Sequence, residues 1–194
     1  MMQMTSISRM TLRVTLAASL MAAVGPSVAA TSADPGGTWL TEDGRARIRV
    51  ERCGVKREQI CGFIVWMKES NDAKGDPVTD IRNPDIAKRA RPLLGHQFIM
   101  GLAPNSEGQF AGQIYNAENG KSYEITLWRE APDKLKVRGC MLSLLCATQV
   151  WTPTVNVLPG QLVGMTGDPT GPRPDKEWAQ ETKARPIAAA KINK

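Results

Sequence analysis

Apolar and polar residues alternate along most of the chain from Gly37 to Trp151, and the period is two. The clearest pair of runs lies at Gln109 to Arg129. Phe110, Gly112 and Ile114 alternate with polar or small neighbours, the chain breaks at Asn116-Ala117-Glu118-Asn119-Gly120, and Tyr123, Ile125 and Leu127 resume the pattern. Two alternating runs about an Asn-Gly turn predict a β-hairpin. Ala46, Ile48 and Val50 alternate with Arg45, Arg47, Arg49 and Glu51, which predicts a strand with one buried face and a solvated basic face. Ile60 to Lys68 is almost continuously apolar and predicts a central strand covered on both sides. Shorter runs at Thr38–Leu40, Gln97–Leu102, Lys134–Cys140 and Ala147–Trp151 complete the series. About eight strands joined by tight turns predict an all-β fold, an antiparallel up-and-down barrel that closes its own edges. A β-sandwich is the alternative.

Three stretches depart from the pattern. Glu69 to Asp80 is a polar loop rich in Asn, Asp, Gly and Pro; its acids do not match a calcium-binding loop. Asn83-Pro84-Asp85 starts one short helix, about two turns from Pro84 to Arg91, with Asn83 as its cap and Pro92 as its stop. After Pro153 glycine and proline interrupt every run, so residues 154–194 are expected to form a flexible tail, with one helical stretch at Asp175 to Lys183 around Trp178.

Residues 1–30 carry the marks of a secretory signal peptide: Arg9 and Arg13, an apolar stretch from Leu16 to Val24, and small residues at Ser27-Val28-Ala29-Ala30. The stretch is far shorter than the ~20 residues of a spanning helix, so the chain is expected to be periplasmic or secreted and not transmembrane. Cleavage removes two basic residues and no acidic one, turning 25 against 19 into 23 against 19. That mild surplus shows no concentrated nucleic-acid stripe. The barrel domain is then 31–153, large enough to build a core without a metal. The 4 cysteines, Cys53, Cys61, Cys140 and Cys146, are all in the exported part and predict two disulfides. Each local pair brackets a short strand connection, which favours Cys53–Cys61 and Cys140–Cys146.

A set of motifs recurs in order: Gly37-x-Trp39, Cys61-Gly62-x-Ile64-Val65-Trp66, Asp80-x-x-Asn83-Pro84-Asp85, Arg91-Pro92-Leu93-Leu94-Gly95, Gly112-Gln113-Ile114-Tyr115-Asn116, Gly120-Lys121-x-Tyr123, Val137-Arg138-Gly139-Cys140 and Gln149-Val150-Trp151. The set resembles the domain of unknown function 2147 family of exported bacterial proteins, from Gly37 to about Pro153. That resemblance implies the fold and the compartment and brings no catalytic residue, since the family has no established activity. The Gly-x-Trp opening also resembles calycin barrels such as lipocalins.

Catalytic constellations are hard to assemble. The single histidine, His96, falls in phase with Phe98 and Met100 and reads as a buried, hydrogen-bonded side chain. The chain has no Gly-x-Ser-x-Gly elbow, phosphate-binding glycine loop or His-Glu-x-x-His. No cofactor or metal is called for, and Asp80 and Asn83 have a structural task in the loop before the helix. The expected function is binding of a small amphiphilic or anionic ligand inside the barrel, whose head group meets Lys88, Arg89 or Arg91 on the short helix or Arg82 just outside it. The rival is an envelope protein-interaction or structural module with a filled barrel. A connected cavity of several hundred Å³ discriminates the two.

Overall fold

The computed structural model describes residues 33–141 and 145–175. Eight strands follow one another: β1 (Gly37–Leu40), β2 (Ala46–Cys53), β3 (Gln59–Met67), β4 (Gln97–Pro104), β5 (Phe110–Asn116), β6 (Lys121–Ala131), β7 (Lys134–Met141) and β8 (Leu145–Pro153). Each pairs antiparallel with the next, and β1 pairs with β8 through Trp39↔Pro153 and Leu40↔Thr152, so the sheet closes on itself. The barrel reading is therefore correct and the sandwich is set aside. The signal-peptide segment lies outside the described residues.

The two ends of the barrel differ. At one end Trp39, Val50, Ile60, Leu102, Phe110, Leu127 and Leu135 fill the interior and are fully or almost fully buried. Two cations seal that end: the Arg129 guanidinium lies 5.4 Å from the Trp39 ring and that of Arg52 lies 5.0 Å from the Phe110 ring. Trp39 Nε1 donates to the Pro35 carbonyl at 2.9 Å, so the chain leading into β1 is tied across the same end.

Both local disulfides form. Cys140 and Cys146 stand directly opposite in the β7–β8 ladder, Cα atoms 4.0 Å apart. Cys53 and Cys61 are diagonal neighbours in the β2–β3 ladder, Cα atoms 5.8 Å apart, because Cys53 pairs with Gln59 and Cys61 with Glu51.

Two expectations need correction. The stretch from Pro84 to Arg91 is not a two-turn helix but a single 3-10 turn, Ile86–Lys88, capped by Asp85, whose carboxylate accepts from the Ala87 amide at 2.9 Å. Asn83 stands outside the turn: its Oδ1 accepts from the Asp85 amide at 2.9 Å, and its Nδ2 donates to Asp80 and Tyr115. The Asp80 amide donates to the Arg91 carbonyl and Thr79 bridges to Pro92, which pulls the backbone out of helical geometry.

The second correction concerns residues 154–175, expected to be flexible. They form a strap across the outer face of β2 and β3. Arg47 Nη1 donates to the Asn156 carbonyl at 2.6 Å and to Gln161 Oε1 at 2.9 Å, and Nη2 donates to Asn156 Oδ1 at 3.0 Å. Arg49 donates to the carbonyls of Leu162 and Gly164. A β-bulge places Arg47 opposite Trp66 and Ile48 opposite Ile64, and the carbonyl of the extra residue, Val65, accepts from the Leu162 amide at 2.8 Å. Leu162 packs on the outer cluster of Cys61, Phe63 and Val65. At Arg47 and Arg49 the basic face is thus covered, with carbonyls of the strap accepting from both guanidiniums, while Arg45 stays exposed. Residues 176–194, with Trp178, lie outside the described residues. Arg47→Ala is expected to cost about 2 kcal/mol locally, the loss of charge-assisted hydrogen bonds. Limited proteolysis should then cut within 154–175 well before the barrel.

Candidate functional site

The opposite end of the barrel is open. Phe98, Ile114, Ile125, Val137 and Trp151 line an interior chamber of about 530 Å³. Its β7–β8 wall is hollowed by small residues, Gly139 and Ala147, which stand opposite each other in the ladder. Polar groups ring the chamber toward solvent: Thr41, Asn116, Asn119, Tyr123 and Gln149. Tyr123 is held by Asn119, whose Nδ2 donates to the phenol oxygen at 2.8 Å, and Trp151 Nε1 donates to Gln149 Oε1 at 2.9 Å. A wider vestibule of about 740 Å³ adjoins the chamber and shares Thr41, Glu118 and Gln149 with it. The far side of the vestibule is the long β3–β4 connection, which contributes Glu69, Asp72, Val78, Ile81, Arg82 and Leu93. Carboxylates and guanidiniums both stand there, and Arg45 pairs with Glu118 across the rim at 3.4 Å.

A buried polar cluster fixes that connection against β5. Asp80 is 0% exposed. Its Oδ2 accepts from Asn83 Nδ2 at 2.7 Å and from Arg91 Nε and Nη2 at 3.0 and 2.9 Å. Its Oδ1 accepts from the Tyr115 hydroxyl at 2.6 Å. Burial, together with donation to the Asp80 carboxylate, pushes the Tyr115 phenol up to about 12, so it remains a donor at physiological pH. Residues 82–84 then pass over the β5–β6 turn at Gly120, where a β-carbon would collide with the Arg82 carbonyl. That turn also needs the positive φ of 69° that glycine supplies.

The four cations expected at the mouth are split by this arrangement. Arg82 lines the vestibule. Arg89 Nε donates to the Asn83 carbonyl at 2.8 Å. Arg91 joins Asp80 to Asp175, the latter at 2.8 Å, and Lys88 lies 3.9 Å from Asp175. Lys88, Arg89 and Arg91 line neither the chamber nor the vestibule. Reading charge from a short helix missed this, because Asp175 is distant in sequence and had been assigned to the tail. The hollow at Gly139 and Ala147 was also missed; two small residues opposed across a predicted hairpin are its only sequence signal.

The family model for "Uncharacterized protein conserved in bacteria (DUF2147)" matches residues 37–153, the whole barrel without the strap. Among solved structures, the chain is similar to HP1028 from Helicobacter pylori, described as belonging to the lipocalin family, with a TM-score of 0.52 at 16% identity. The match covers 63% of this chain and 84% of that one, and at this identity it shows a shared fold. No curated protein matches.

Proposed function

We propose that this chain, which belongs to the DUF2147 family of bacterial proteins, is an exported binder of a small amphiphilic ligand held in the open end of its barrel. The observation that carries this reading is the apolar chamber of about 530 Å³ above a sealed floor. A chamber in the usual size range of ligand sites, apolar inside with a few polar groups at its rim, suits a molecule with one apolar part and one polar end. The apolar part lies against Phe98, Ile114, Ile125 and Val137. The polar end reaches the vestibule, where Arg82 meets an anionic group and the rim amides and hydroxyls meet an uncharged one.

Ala147 gives a clean test because it is exposed at the chamber wall. Ala147→Trp should fill the hollow and leave stability within ~0.5 kcal/mol of the parent. Native mass spectrometry and thermal-shift titration with dodecanoate and dodecylphosphocholine should show binding to the parent, weakened at least ~tenfold in the variant. No binding to the parent, or equal binding by both, removes the ligand reading. The interaction module then takes its place, a reading favoured by Val155, Val157, Val163 and Met165, which stand exposed along the strap.

A further inference from the structure

The strap and the mouth are joined at one side chain. Arg91 sits on the β3–β4 connection and holds two carboxylates at once: Asp80, buried under the mouth-lining segment, and Asp175, the last described residue of the strap. The strap reaches that point along a continuous track. It is pinned to β2 by Arg47 and Arg49, to β3 through Leu162, and to the end of the β3–β4 connection where the Arg173 amide donates to the Gly95 carbonyl at 2.9 Å. The Asp175 amide then donates to Gln97 Oε1 at 3.0 Å, and Gln97 is itself buried.

We infer that seating of the 154–175 strap sets the position of the mouth-lining segment 78–93 through the Asp175–Arg91–Asp80 relay, making the strap a built-in regulator of the barrel mouth. An arginine with two carboxylates has a fixed fork geometry, so moving either acid reorients the guanidinium against the other. Asp80 cannot follow freely, because Asn83 and Tyr115 hold its two oxygens. The free energy of such coupling is reciprocal. A partner that lifts the strap loosens the mouth, and an occupant that orders the mouth tightens the strap. This last consequence rests on the proposed ligand reading; the mechanical coupling does not.

Hydrogen exchange on the purified protein without any ligand tests the coupling, so its failure is separable from failure of the ligand reading. The reporters are the Asp80 and Leu93 amides, which donate to the Arg91 and Val78 carbonyls. Loosening the strap at its β2 anchors, with Arg47→Gln combined with Arg49→Gln, should speed exchange of both reporters about fivefold or more relative to the β6–β7 amides. Asp175→Asn, which weakens the joint itself, should produce a rise of the same kind. Reporter rates unchanged in both variants overturn the inference. So does a uniform rise in which the reporters gain no more than β6 and β7, because that is global destabilisation.

Discussion

Replacing Asp80 with alanine is expected to lower stability by about 3–5 kcal/mol, the usual consequence of breaking a buried ion pair from one side. The carboxylate is 0% exposed and accepts from three different side chains. Its loss leaves the Arg91 guanidinium, the Tyr115 hydroxyl and the Asn83 amide facing a void that offers none of them an acceptor. In a domain of this size the midpoint of thermal unfolding should fall by ~10 °C. Asp80→Asn should recover little, since its amide group presents donors to donors. A double variant separates the pair from general damage. Asp80→Ala with Arg91→Met should be more stable than the sum of the two single losses, because neither member of the Asp80–Arg91 pair is then left facing an empty site, and Asp175 keeps Lys88 at 3.9 Å. Urea unfolding measures all of these, and strict additivity would show that the ion pair is not what holds the segment.

How much of this was legible in the sequence follows from the range of each interaction. Strands and hairpins were readable because period-2 alternation is a local signal: the β5–β6 register, Phe110↔Leu127 through Asn116↔Lys121, follows directly from the Asn-Gly turn. The disulfides were readable because each closes within one hairpin. The strap was not. It has no hydrophobic period, and its anchors are backbone carbonyls taken by Arg47 and Arg49 from more than a hundred residues away. Three arginines alternating with apolar residues look the same whether water or a strap covers them. The Asp80 cluster was half visible: Asp80 and Asn83 had a structural role in their loop, but Tyr115 is 35 residues away and nothing local ties it to them.

The barrel therefore has one closely packed apolar end and one end bordered by a long polar connection. The floor is cross-linked by the packing of Trp39, Phe110 and Leu135 and capped by Arg52 and Arg129. The mouth is bordered by a connection of nearly thirty residues between Met67 and Gln97, whose fixed points are few and polar. On the proposed ligand reading, such a division puts recognition at the mouth, with the floor as the frame that keeps it in register.

One of those fixed points makes stability depend on pH. His96 is buried and meets the Tyr115 ring edge-on, centroids 5.8 Å apart. Burial first, and then the Arg91 guanidinium, lowers its pKa from 6.5 to about 4, against the opposing pull of Asp80 and Asp175. A histidine whose folded pKa is depressed contributes stability that is intact above the unfolded value. That contribution is lost as pH falls toward the folded value, because only the unfolded chain takes up the proton. Between about pH 7.5 and 5 the loss should be ~2 kcal/mol, approaching ~3 kcal/mol near pH 4, where carboxylates begin to add their own terms. His96 is the only histidine in the chain, so the slope above pH 5 has one expected source among the side chains. Urea unfolding across that range should show the decline in the parent, and His96→Gln should flatten it whatever its own stability. A parent curve already flat between pH 7 and 5 would mean that His96 takes up its proton as readily in the folded barrel as in the unfolded chain.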